Sequence, residues 1–111
     1  MDTTAGLTAL TVASVTPETD SAVRVGFNVP DDARAAFRYQ PGQYLTLETE
    51  IAGVPVRRSY SICTGINEPC LEVAIKRVTG GVFSNYANDS LRVGDIVKSL
   101  PPRGEFSAAL K

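Results

Sequence analysis

The run Arg58-Ser59-Tyr60-Ser61 sets a fixed cation, a phenol and hydroxyls on one short piece of chain. Further on, Gly80-Gly81-Val82-Phe83-Ser84 adds a glycine-rich turn. On an extended strand, side chains i and i+2 share a face, so Arg58 and Tyr60 point the same way, roughly 7 Å apart. A guanidinium makes bidentate, charge-assisted bonds to phosphate, each ~1.5–3 kcal/mol. A phenol offers a flat apolar face and a polar tip. Ser61 falls on the opposite face of a regular strand, so a role for it requires a bend or contact through its backbone N–H. Gly80-Gly81 permits positive φ and close approach to a ligand. Ser84 is expected as the N-cap of a helix over 85–91, whose free N–H groups and dipole suit phosphate. A ligand with an aromatic ring system at one end and a pyrophosphate further along, as in a flavin dinucleotide, would use both pieces at once. Each piece alone has a plainer reading: a surface strand with a cross-strand Arg and a half-buried Tyr, or an ordinary glycine turn with a serine cap. R-x-Y-S, then a strand ending Ile75-Lys76-Arg77, then G-G-x-x-S is the specific combination.

The elements that must position these residues read as β throughout. Val23, Val25, Phe27 and Val29 alternate with Arg24, Gly26 and Asn28; Leu45, Leu47 and Ile51 repeat the pattern, as do Leu71, Val73 and Ile75. The segments 7–15, 54–62 and 95–100 add three less regular strands. Breakers fall between them at Thr16-Pro17, Pro41-Gly42, Ala52-Gly53, Asn67-Glu68-Pro69, Gly80-Gly81, Val93-Gly94-Asp95 and Pro101-Pro102. Only 31–37 and 84–91 have helical character, and both are short. Six short strands at regular spacing favour a small closed antiparallel barrel over an open sheet.

Composition narrows the function classes. The 111 residues make one domain, large enough to bury ~65% of its unfolded surface. A net charge of −1, from 11 basic and 12 acidic residues, provides no polyanion-binding field and argues against nucleic acid. No apolar run approaches the ~20 residues that span a bilayer, and the polar start is not a signal peptide, so the expected compartment is the cytoplasm. With no histidine, histidine-based catalysis and His/Cys zinc sites are excluded for this chain, and no metal ligands are assigned. The spacing C-x4-C-x2-C of plant-type iron–sulfur proteins is absent. Cys63 and Cys70 flank a turn-rich connection; a reducing compartment keeps them as thiols, and small buried cysteines are commoner than redox pairs.

On these residues the chain resembles the flavin domain of the ferredoxin–NADP(H) reductase superfamily, from about Leu7 to Phe106. Besides R-x-Y-S and G-G-x-x-S, the resemblance rests on Tyr39-Gln40-Pro41-Gly42-Gln43-Tyr44, Gly94-Asp95 and Pro102-x-Gly104-x-Phe106. Arg57-Arg58-Ser59-Tyr60-Ser61-Ile62-Cys63 and Ala74-Ile75-Lys76-Arg77-Val78 are most similar to reductase components of phenylacetyl-CoA epoxidase, then to those of related ring-hydroxylating systems. The resemblance implies a six-stranded antiparallel Greek-key barrel, capped by one short helix and binding FAD. It places Arg58 on the pyrophosphate, Tyr60 on the flavin and ribityl, and Ser61 by the reactive N5 edge. Ile75 and Lys76 would lend backbone groups, while Gly81, Val82 and Ser84 would cradle the phosphates.

Such reductases continue into an NAD(P)-binding domain, and many carry a [2Fe–2S] domain. Residues 1–106 are therefore expected to be the barrel, 107–111 the start of a linker, and the chain a monomeric fragment. In the complete protein it would serve electron transfer from NAD(P)H to an oxygenase component. The alternatives are a flavin-binding module that passes no electrons, and a barrel used for protein or RNA contacts.

Overall fold

The computed structural model describes residues 6–40, 42–63 and 71–104. Six strands form one sheet: β1 Thr8–Thr19, β2 Ala22–Asn28, β3 Tyr44–Ile51, β4 Val54–Ser61, β5 Leu71–Lys76 and β6 Ile96–Ser99. One helix, α1, spans Val82–Asp89. The spatial order is β4-β3-β6-β1-β2-β5, with every pairing antiparallel. The sheet curls until its edges approach at one end, where Ile62 bridges Val73 and the Cys63 N–H donates to the Glu72 carbonyl at 2.9 Å. The result is a barrel-like six-stranded antiparallel sheet with one short helix, as expected, but the sheet is not the closed barrel that the strand spacing favours: among the described residues β4 and β5 pair only at that bridge and share no ladder.

Period-2 patterning decides which face turns inward. Val25 stands opposite Val15 on one side and Val73 on the other, Phe27 opposite Leu71, and Leu10 opposite Val97. All but Val15 are buried, and with Leu45, Leu47 and Ile75 they form one core.

Three sequence expectations shift. β1 runs on through Thr16-Pro17, read as a breaker, and Pro17 stands opposite Val23. Beyond Thr11 this strand has no β6 partner, so the missing proline N–H costs no ladder bond there. The segment 31–37 makes only a 3-10 turn, Asp31–Ala33, followed by turns. Cys63 is exposed, not buried, and Cys70 lies outside the described residues.

Two local devices fix the two ends of β3, the strand beside the motif strand. The β3–β4 hairpin turns on Ala52 and Gly53, both at positive φ (53° and 81°), the twist that two-residue hairpins require. At the other end of β3, Tyr44 and Arg103 exchange two backbone bonds of 3.0 Å. Gln43 Nε2 donates to the Gly104 carbonyl at 2.8 Å, and a Cβ on Gly104 would lie 2.9 Å from the Tyr44 ring. These contacts hold the last described residues against the start of β3. No helix among the described residues is long and apolar enough to cross a membrane.

Candidate functional site

The register of β4 on β3 settles which way each motif residue points. Arg58 stands opposite Leu47 and Tyr60 opposite Leu45, both fully buried, so Arg58 and Tyr60 share the inner face as their spacing predicts. Arg57 stands opposite Glu48 on the outer face and pairs with it at 2.9 Å. Arg58 is exposed although it faces inward, because it lies on the seam where β4 has no partner strand. Among the described residues it has no carboxylate partner; its guanidinium donates to the Arg57 carbonyl at 2.7 Å. Tyr60 is half-buried against Phe83 of α1, ring centroids 5.6 Å apart, and burial pushes its phenol pKa up while Arg58 opposes the shift. The phenol therefore stays protonated and neutral at physiological pH.

The helix fills part of this seam. Phe83 and Ala87, one turn apart, are buried beneath it, and Phe83 meets Tyr86 edge-on at 6.4 Å. An eight-residue helix is unstable alone, so its position is set by such contacts. Its first residue is Val82 and its N-cap is Gly81, with no side-chain cap and no acidic residue in the first turn. The expectation of Ser84 as N-cap is corrected. Ser84 lies two residues inside the helix and is buried, and its hydroxyl turns back to accept the Val78 N–H (3.1 Å) and donate to the Gly81 carbonyl (3.3 Å). The hydroxyl closes the turn before the helix. Among the described residues, the N–H groups of Val82, Phe83 and Ser84 have no acceptor, whereas Asn85 N–H already donates to Gly81.

The two glycines do different work. Gly80 needs its positive φ of 75° and has open space around it. Gly81 has ordinary φ, but a Cβ there would lie 2.6 Å from Ser84 Oγ and 3.1 Å from the Val78 carbonyl. Gly81→Ala should therefore break the Ser84 closure and lower both the melting temperature and flavin affinity. Gly80→Asn, which tolerates left-handed backbone, should leave the melting point within a few degrees. A Gly81→Ala protein that melts and binds as the parent does would remove the steric argument.

Between motif strand and helix lies an open cleft of about 240 Å³, lined by Arg58, Ser59, Tyr60, Val78, Gly81, Phe83 and Ser84. It brings together four of the residues that the sequence motifs indicate: Arg58, Tyr60, Gly81 and Ser84. Ser61 ends β4 opposite Tyr44 with no break in register, and so stays on the outer face. Val82 is exposed at the helix start; Ile75 is buried in β5 with its carbonyl accepting Asn88 Nδ2 at 3.2 Å; Lys76 is exposed. Phe83 and Val78 carry no motif signal as site residues, although the Phe83/Ala87 spacing marks the buried stripe of a helix. No group of metal-binding side chains occurs among the described residues.

A barrel-like antiparallel sheet, with a helix start that has no side-chain cap facing an arginine without a carboxylate partner among the described residues, defines a domain suited to an anionic, ring-bearing cofactor. Residues 9–108 match the family model of the oxidoreductase FAD-binding domain, and the chain belongs to that family. It is 42% identical over 97 residues to a component of the 1,2-phenylacetyl-CoA epoxidase of Escherichia coli (strain K12), covering 87% of this chain and 27% of that protein. It is 37% identical over 101 residues to the ferredoxin reductase component of 3-ketosteroid-9-alpha-monooxygenase from Rhodococcus rhodochrous, covering 88% and 28%. Among solved structures, the flavohem-like FAD/NAD binding domain of nitric oxide dioxygenase from Vibrio cholerae superposes with a TM-score of 0.77 at 30% identity, covering 88% of this chain and 44% of that one. The chain thus spans about a quarter of the length of these curated relatives. The cofactor of the family is FAD. The residues present fit it: among the described residues, three N–H groups without acceptors at a helix start and an arginine without a carboxylate suit a pyrophosphate, and the half-buried phenol suits a ring.

Proposed function

We propose that this chain is the flavin-holding part of an NAD(P)H-dependent electron-transfer reductase that serves an iron–sulfur centre or an oxygenase component. Bound FAD would supply the conversion between two-electron and one-electron transfer. Arg58 would hold the pyrophosphate from β4, while the N–H groups of Val82 and Ser84 meet it from α1. Ser84 would thus act through its backbone, its hydroxyl being engaged in the turn. Gly81 would keep that turn tight, and Tyr60 would lie along the flavin and ribityl. Ile75 and Lys76 would contribute backbone groups at the end of β5. Ser61, whose side chain is on the outer face at the end of β4, would meet the N5 edge through its backbone N–H. The observation that carries this reading is the pairing of an inward arginine that has no carboxylate partner among the described residues with a helix start that has no side-chain cap, across one open seam.

The relatives support the wider context: one is named a ferredoxin reductase component. Phthalate dioxygenase reductase, which superposes with a TM-score of 0.67 at 25% identity over 92% of this chain and 31% of that one, is described as a modular structure for electron transfer from pyridine nucleotides to [2Fe–2S]. In the complete protein, an NAD(P)-binding domain and a [2Fe–2S] domain would flank this one.

The direct test is a fluorescence titration with FAD and with riboflavin. FAD should bind at micromolar concentration and riboflavin at least about tenfold more weakly, since riboflavin lacks the phosphates that Arg58 and the helix would grip. Equal affinity for the two would overturn the pyrophosphate assignment.

A further inference from the structure

Arg77 follows β5 directly and belongs to the basic run Lys76-Arg77, the kind of residue that invites a phosphate-binding role. Its geometry says otherwise. The guanidinium reaches the far half of α1 and makes a bidentate pair with Asp89, Nη2 to Oδ1 at 2.7 Å and Nη1 to Oδ2 at 3.0 Å. Nη1 also donates to Asn85 Oδ1 at 3.0 Å. Asp89 is the last residue of the helix, whose final turn contains no basic residue. A carboxylate there faces the negative end of the helix dipole and is unfavourable unless a cation answers it. Arg77 supplies that cation and holds the Asp89 carboxyl below the usual carboxylate range. On the same helix, Asn88 Nδ2 donates to the Ile75 and Ser84 carbonyls at 3.2 and 2.8 Å, and the Arg77 N–H is itself fixed by the Ser21 carbonyl.

From this we infer that Arg77 is a positioning residue: it clamps the C-terminal half of α1 to the end of β5, so that the free N–H groups at the other end are already aimed into the cleft before any ligand arrives. The inference rests on the FAD-binding reading above. The helix is then electrostatically asymmetric. Its negative end is compensated within the protein, and its positive end is left for an anion. Fixing those donors beforehand removes the ordering cost that binding would otherwise carry.

The test compares Arg77→Met, Arg77→Lys, the charge exchange Arg77→Asp with Asp89→Arg, and Arg24→Met. The last breaks the Arg24–Glu18 ion pair on another part of the sheet. FAD affinity is measured well below each variant's melting temperature. Arg77→Met should bind FAD about three- to tenfold more weakly, and Arg77→Lys, which keeps charge but loses the fork, should fall between. The charge exchange should recover affinity to within about twofold of the parent, and Arg24→Met should leave it unchanged within the same range. In the absence of FAD, amide exchange at Gly81 and Asn85, whose N–H groups donate to the Val78 and Gly81 carbonyls, should quicken in Arg77→Met and not in Arg24→Met. Unchanged exchange at these two amides in Arg77→Met overturns the clamp, whether or not FAD binds. Loss of affinity that the charge exchange does not recover overturns it as well, and would make Arg77 a direct ligand. A parent chain that binds no FAD would sink the cofactor reading while leaving the exchange result to judge the clamp.

Discussion

Replacing Arg58 with alanine should weaken FAD binding by about 10- to 100-fold, while Arg57→Ala leaves it within about twofold. The two arginines are sequence neighbours of the same charge, so the comparison isolates direction. Arg58 faces the seam with no carboxylate partner among the described residues, ready for a bidentate bond to phosphate. Arg57 faces away and is engaged with Glu48. Stability should report the reverse order, since only Arg57→Ala breaks an existing ion pair. Arg58→Lys should bind at intermediate strength, because an ammonium keeps the charge but loses the planar fork. Equal losses from the two alanine variants in a fluorescence titration would show that a general positive field governs binding. The register argument would then fail.

The second large effect is on the fold. Phe83→Ala should lower stability by about 3–5 kcal/mol and the melting temperature by about 15–25 °C. Phe83 is 1% exposed, touches Tyr60 across the seam and Tyr86 along the helix, and is the largest buried side chain that α1 contributes. A domain of this size holds only about 5–15 kcal/mol in total, so the change removes a large share of it. Phe83→Leu, nearer in volume, should cost less than half as much. A melt by circular dichroism decides the matter. A fall of under about 5 °C for the alanine variant would mean that α1 is not seated as described.

How much of this is legible in the sequence depends on how local each signal is. The six strands are readable because burial on one face of a sheet prints a period of two, as at Val23, Val25 and Phe27. The shared face of Arg58 and Tyr60 follows from the same rule. Pro17 misleads because proline is a breaker only where a strand is paired on both sides, and that pairing is set by distant residues. The helix start is misplaced for a similar reason. Serine ahead of a polar helix is an ordinary cap, but here the Ser84 hydroxyl bonds to Val78 across the turn, and Gly81 takes the cap position. The cleft's inner wall escapes notice because Phe83 reads as a plain apolar residue until the fold sets it beside Tyr60. Arg77 is readable as a cation, yet nothing local tells which end of the helix it serves.

The unladdered seam also bears on how copies of this chain treat one another. Apart from the bridge at Ile62, β4 presents a row of backbone donors and acceptors with no strand beside it, which is a template for intermolecular pairing. Two residues on that strand obstruct such pairing: Pro55 lacks an N–H, and Arg58 sets a positive charge on the seam, so that two such edges repel. The arginine proposed to grip the cofactor is thus also part of what keeps the domain from zipping to its neighbours. Colloidal behaviour and cofactor affinity are tied to the same side chain, and weakening one weakens the other.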